Sequence, residues 1–267
     1  MTATVPEPTE RVVLLGASNL TRGFATALGV LRHRRCEPLD VLAALGNGRS
    51  YGIYARLLGR GLTGILDCGL WSALDGRPAL PLTALVTDIG NDVMYGVPVP
   101  QILAWVEECL VRLQKRGAEI VVTGLPTTNL PRLGARRFLL LRTVLFPGNR
   151  DTLADVTRRS RAVDAGVRKL AARYGTTFVE PPTHWYGFDP IHIRRLHWST
   201  AWQTILAGLD PRASTGPTPT GQPPRVSFWN SLETQFWIPE ERFFLGLAQR
   251  RRQPCKTLAD GTRISIY

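Results

Sequence analysis

A mostly parallel β-sheet covered by helices on both faces is the fold class this sequence predicts. Two observations carry that reading. Strand-length apolar runs alternate with segments whose apolar residues recur at helical spacing, and the runs end in small polar clusters rich in glycine. Alternation of this kind lays successive strands side by side and parallel, with the connecting helices packed over them.

Each element can be read in turn. Residues 12–15 are an apolar run that stops at Gly16-Ala17-Ser18, as a buried strand stops at a turn. Residues 22–34 read as a helix. Residues 41–45 are a second strand, followed by the turn Gly46-Asn47-Gly48, and 50–60 read as a short helix. Residues 82–89 make a third strand, ending at Gly90-Asn91-Asp92. Pro100 stands near a helix start, where its missing N–H costs least. Ile102, Val106, Cys109, Leu110 and Leu113 give that helix an apolar face, and Gly117 stops it. Residues 120–123 are a fourth strand. A long basic loop leads to a helix over 151–174, then a fifth strand over 176–179 and a last helix over 199–208.

This division puts one domain over 1–210 and a Pro/Gly-rich linker over 211–225. The extension 226–267 follows. Trp229, Phe236, Trp237, Phe243 and Phe244 make it too aromatic for a free tail, and Asp260-Gly261 suits the turn of a hairpin over 257–267. The extension is expected to pack on the main domain or on a second subunit.

Composition narrows the function classes. The chain is 44% hydrophobic and 20% charged, which excludes a disordered chain, and its apolar runs are too short to span a membrane. The N-terminus has acidic residues and no basic region ahead of its first apolar run, so a cytoplasmic location is expected. Cys36, Cys68, Cys109 and Cys255 are spaced neither for a disulfide framework nor for a zinc ribbon. His184, His192, His197 and Asp189 match no helix-borne zinc signature, so no metal and no cofactor is expected. The net charge of +12 comes from 30 Arg and 3 Lys against 21 acidic residues, with a net +8 over 132–173. The arginines are dispersed, with few aromatics for base stacking, which argues for a solvated basic face over a nucleic-acid surface.

Chemistry is concentrated in four polar clusters: Gly16-Ala17-Ser18-Asn19, Gly46-Asn47-Gly48-Arg49-Ser50, Gly90-Asn91-Asp92 and Asp189-Pro190-Ile191-His192. Three follow predicted strands, where ligands bind in open α/β sheets. In this order and spacing they resemble the blocks of the SGNH (GDSL-like) hydrolase family. The resemblance implies a flavodoxin-like three-layer α/β/α sandwich with a central, mostly parallel five-stranded sheet. It also implies hydrolysis of an ester, O-acetyl or thioester linkage in a small-molecule or carbohydrate substrate. Carried over residue by residue, it makes Ser18 the nucleophile and Asp189 with His192 its acid–base pair. Ser18, Gly48 and Asn91 become the oxyanion donors. Gly46 also fits the second block; Gly48 is preferred because Gly-Arg-Ser follows it as in carbohydrate acetylesterases of the family. Two positions depart from the pattern. Ala17 stands where the family has Asp, and Gly90 directly precedes Asn91 where the family has one residue between.

The residue types suit that chemistry on their own terms. A serine hydroxyl needs an adjacent base, a histidine supplies one, and a carboxylate three residues away can fix the imidazole tautomer. A developing oxyanion needs backbone and amide donors, and glycine lets a substrate approach closely. Each cluster alone has a plainer reading: Ser18 as a helix cap, Gly90-Asn91-Asp92 as a turn, Trp185 and Tyr186 as loop packing rather than cleft lining. The competing function is a catalytically inactive SGNH-like domain that binds an anionic partner through its arginines.

Overall fold

The computed structural model describes residues 6–57, 59–146, 148–209, 233–234, 237 and 239–267. The 211–225 linker, Trp229 and Phe236 lie outside the described residues. Five strands form the centre of the main sheet: β1 (Glu10–Leu15), β2 (Leu39–Ala44), β5 (Leu82–Val86), β6 (Glu119–Thr123) and β7 (Thr177–Val179). They run parallel in the order β2-β1-β5-β6-β7. Counted among themselves this is 2-1-3-4-5, the flavodoxin-like order, whose switch point lies between β1 and β5.

Both faces of the sheet are dry. Val13 and Leu15 face one core with Ala84, Val86 and Val122, while Val12 and Leu14 face the other with Val41 and Ala43. That alternation is the two-residue period of a strand with apolar surroundings on each side. On the first face lie α4 (Val99–Gln114) and α6 (Leu153–Arg173), which pack on one another. On the second lie α1 (Ser18–Arg35) and α7 (Trp198–Ala207), which also pack together. Thr152 opens α6 with a capping box, its side chain accepting from the Asp155 N–H while Asp155 reaches back.

The sheet is larger than the five strands expected. β10 (Lys256–Thr257) and β11 (Arg263–Ile266) form an antiparallel pair around the Asp260-Gly261 turn. β11 then lies parallel to β2, extending the sheet to seven strands. The cause is the free edge of β2: its row of backbone groups is satisfied by a strand that returns from more than 200 residues away.

The helix expected over 50–60 is also corrected. That segment contains β3 (Ala55–Leu57), paired antiparallel with β4 (Arg60–Leu62); β4 in turn pairs with β8 (Glu241–Phe244), and β8 with β9 (Leu247–Arg250). Partners from the C-terminal part of the chain override a weak local helix preference in a stretch carrying Gly52 and Gly59. Two short helices, α2 (Leu70–Asp75) and α3 (Asn91–Met94), complete the main unit together with α5 (Ala135–Leu145), which occupies the expected basic loop.

Candidate active site

The turn after β1 is built for close approach. A Cβ on Gly16 would lie 2.7 Å from Thr87 Cγ2 at the end of β5, so only glycine lets the two strand ends meet. Ala17 follows, and Ser18 is the first residue of α1. No side chain at the N-cap position closes the helix. The free N–H groups are taken from across the switch point instead: Asp88 Oδ2 accepts from the Ala17 and Leu20 N–H groups, both at 3.0 Å. A carboxylate there also complements the positive end of α1. Asp88 holds a left-handed backbone (φ 60°), a conformation Asp tolerates better than most residues.

The Ser18 hydroxyl is thereby free to face the fourth cluster. His192 Nε2 lies 3.0 Å from Ser18 Oγ, and His192 Nδ1 lies 2.6 Å from Asp189 Oδ2. The other Asp189 oxygen accepts from the backbone N–H groups of Ile191 (3.2 Å) and His192 (3.3 Å), so one carboxylate both closes its loop and holds the ring. Partial burial pushes the Asp189 carboxyl up, but the His192 ring, the Ile191 N–H and Arg22 outweigh it and hold it below the usual range. Asn19 fastens the loop to α1. Its amide donates to Asp88 Oδ1 (2.8 Å) and to the Ile191 carbonyl (3.0 Å), and its oxygen accepts from the Ile193 N–H (2.8 Å). These bonds bracket His192 on both sides.

The second and third clusters meet each other. Asn91 begins α3, and its side-chain amide donates to the Arg49 carbonyl at 3.2 Å, next to Gly48. An Asn amide carries two N–H groups, so one remains for another acceptor. Gly48 has φ 71°, where a side chain would be strained, and a Cβ there would sit 2.6 Å from Leu57 Cδ2. Ser18 and Asn91 line one cavity. Beneath the loop, Asp92 is fully buried. It accepts from the Ser50 hydroxyl and from the Tyr51 N–H (3.0 Å), while Ser50 Oγ accepts from the Gly52 and Ile53 N–H groups. Burial raises the Asp92 carboxyl to about 6, with the Ser50 hydroxyl and the Tyr51 N–H opposing the rise. Arg49 is buried as well and donates to the backbone oxygens of Leu45, Thr63 and Tyr267, which ties the loop to the end of β11.

No protein-family model and no curated protein matches the sequence. Solved structures do match the fold. A GDSL-like lipase from Bacteroides thetaiotaomicron superposes with a TM-score of 0.50 at 12% identity, covering 78% of this chain and 93% of that one. A member of the lipolytic protein G-D-S-L family from Veillonella parvula gives a TM-score of 0.50 at 9% identity, covering 76% and 99%. The fold is that of the SGNH hydrolases.

Within that SGNH fold, Ser18, Asp189 and His192 stand in one hydrogen-bonded chain, and Asn91 donates to the carbonyl of the Arg49-Ser50 peptide. Ser18 is not a helix cap, since its hydroxyl faces His192. Tyr186 lines the cavity, whereas Trp185 is buried in the core. Sequence reasoning missed Asp88 and the roles of Asn19, Ser50 and Asp92. Asn19, Ser50 and Asp92 were inside the quoted clusters; Asp88 had one available signal, an acidic residue at the end of an otherwise apolar strand. Among the described residues, no cluster of three His, Cys, Asp or Glu side chains is placed to hold a metal ion, and no helix is long and apolar enough to cross a membrane.

Proposed function

We propose that this chain is a serine ester hydrolase working through an acyl-Ser18 intermediate. The observation that carries the reading is the continuous chain from Ser18 Oγ to His192 Nε2 (3.0 Å) and from His192 Nδ1 to Asp189 (2.6 Å). Ser18 Oγ attacks the carbonyl carbon as His192 Nε2 takes its proton. The carbonyl electron pair moves onto oxygen, stabilised by the Ser18 and Gly48 N–H groups and the spare Asn91 N–H. On collapse, His192 returns the proton to the leaving alcohol or thiol. Water then attacks the acyl-serine by the same route and regenerates Ser18. Asp189 keeps the Nδ1 proton in place and stabilises the imidazolium without accepting that proton.

The inactive-domain reading drew on Ala17, which lacks the carboxylate usual before the nucleophile. Asp88 supplies a carboxylate to the same turn, bonded to the Ala17 N–H itself. Several arginines of the basic segment are also engaged, with Arg158, Arg159, Arg168 and Arg173 paired to Asp155, Asp151, Glu180 and Glu107.

The test is treatment with an alkyl fluorophosphonate followed by peptide mass mapping. One adduct on Ser18, absent from Ser18→Ala, is expected. A protein that stays unmodified, or is modified at another serine, overturns the proposal.

A further inference from the structure

The cavity that begins at Ser18 does not stay at the triad. It spans the carboxyl edge of the sheet, with Trp202 of α7 on one side and, by α5 and α6 on the other, side chains such as Leu133, Phe138, Phe146, Leu153 and Val156. Its volume is about 150 Å³. Near the mouth, several polar groups of the wall are already engaged. Asp88 accepts three hydrogen bonds, and the Thr87 and Thr123 hydroxyls bond each other at 2.7 Å. The deeper wall is aliphatic and aromatic except for the Ser160 hydroxyl of α6. One hydroxyl cannot meet the several hydroxyls of a sugar or a charged group, and burying either there would be costly. A hydrocarbon chain leaves nothing unpaired.

Resting on the ester-hydrolase reading, we infer that this cavity holds the acyl chain of the substrate, and that the acyl group has about six carbons. An apolar cavity near 150 Å³ accommodates benzene, a six-carbon guest. An acetyl group would leave most of the space empty, although Gly48-Arg49-Ser50 resembles the acetylesterase pattern. Each methylene moved from water into the cavity strengthens binding about fourfold, so the gain from a two-carbon to a six-carbon acyl group reaches on the order of 10²-fold. The gain stops where the chain meets α6.

The experiment has two arms. The first measures kcat/KM for p-nitrophenyl acetate, butyrate, hexanoate, octanoate and decanoate. A rise from acetate to a maximum at hexanoate is expected, followed by a fall. In Val156→Phe, which fills the far end, the hexanoate-to-acetate ratio should drop at least tenfold. In Phe138→Ala, which enlarges the cavity, the maximum should move to octanoate or beyond. The second arm titrates hexanoate and acetate into Ser18→Ala, so it does not depend on turnover; hexanoate should bind at least tenfold more tightly. If the acetate ester is the best substrate, or if the three proteins share one chain-length profile, the acyl pocket is overturned while the esterase reading stands. If no ester is cleaved and no fluorophosphonate adduct forms on Ser18, the esterase reading falls and the acyl assignment falls with it. Equal binding of hexanoate and acetate to Ser18→Ala overturns the pocket independently of either.

Discussion

Asp88→Asn is a one-atom change whose effect can be worked through the hydrogen bonds around it. Asp88 Oδ2 accepts from the Ala17 and Leu20 N–H groups, and Oδ1 accepts from the Asn19 amide. An asparagine can point its oxygen at the two backbone donors, but its NH2 then faces the NH2 of Asn19. Turning Asn19 over relieves that clash only by withdrawing its oxygen from the Ile193 N–H and its amide from the Ile191 carbonyl. Every arrangement loses at least one bond that involved a charged acceptor, which costs about 1.5–3 kcal/mol. Asparagine tolerates the left-handed backbone as aspartate does, so strain adds little. The losses fall on the bonds that bracket His192, so part of the cost reaches the Ser18–His192 alignment. If about 1.4 kcal/mol does, kcat drops about tenfold. Thermal melts and kcat on an aryl ester give the two numbers. The double variant Asp88→Asn with Asn19→Asp moves the carboxylate one residue across the same contact and should recover part of the loss. An Asp88→Asn protein with unchanged melting temperature and unchanged kcat refutes the reasoning.

Two further predictions follow from the same geometry. On the proposed reading Asn91 donates mainly in the transition state, so in a folded Asn91→Ala protein kcat should fall about 10²–10³-fold with KM little changed; near-wild-type kcat returns Asn91 to a turn residue. Asp92 titrates near 6 when folded, well above a free carboxyl, so the folded state binds the extra proton in the window between. The stabilisation is complete below about 4 and is lost as pH rises through 6. Urea melts should therefore show the wild type gaining about 2–3 kcal/mol on Asp92→Asn between pH 7 and pH 4, and a gap that does not change with pH contradicts the burial account.

Much of the centre of the fold could be read from the chain because its signals are local. Residues 12–15, 41–45, 82–89, 120–123 and 176–179 are apolar runs closed by turn residues, and each coincides with a central strand. Ser18 stands in the cluster that closes the first strand, and Asp189 with His192 in the loop beyond the fifth; the structure brings their side chains into hydrogen-bonding range. The missing parts depend on distance along the chain. Residues 55–57 become a strand because 60–62 line up beside them, and 60–62 in turn pair with 241–244. The sixth and seventh strand positions exist because β11 finds the edge of β2 and β10 pairs with β11. Asp88 meets its partners about 70 residues away through a backbone conformation that no local pattern announces. No local pattern marks Arg49 for burial, yet burial lowers its pKa and its charge is met by backbone oxygens from three segments.

The central claim is that Ser18 and His192 act as one chemical unit. The measurement that tests it most directly is kcat/KM on one aryl ester for Ser18→Ala, His192→Ala and the double variant, with a melting curve for each. Residues that act as a unit lose their contribution together, so the three variants should show nearly the same residual rate, several orders of magnitude below wild type. If the two single losses are small and multiply in the double variant, or if folded Ser18→Ala keeps wild-type turnover, the hydrogen-bonded chain seen here is not the catalytic apparatus.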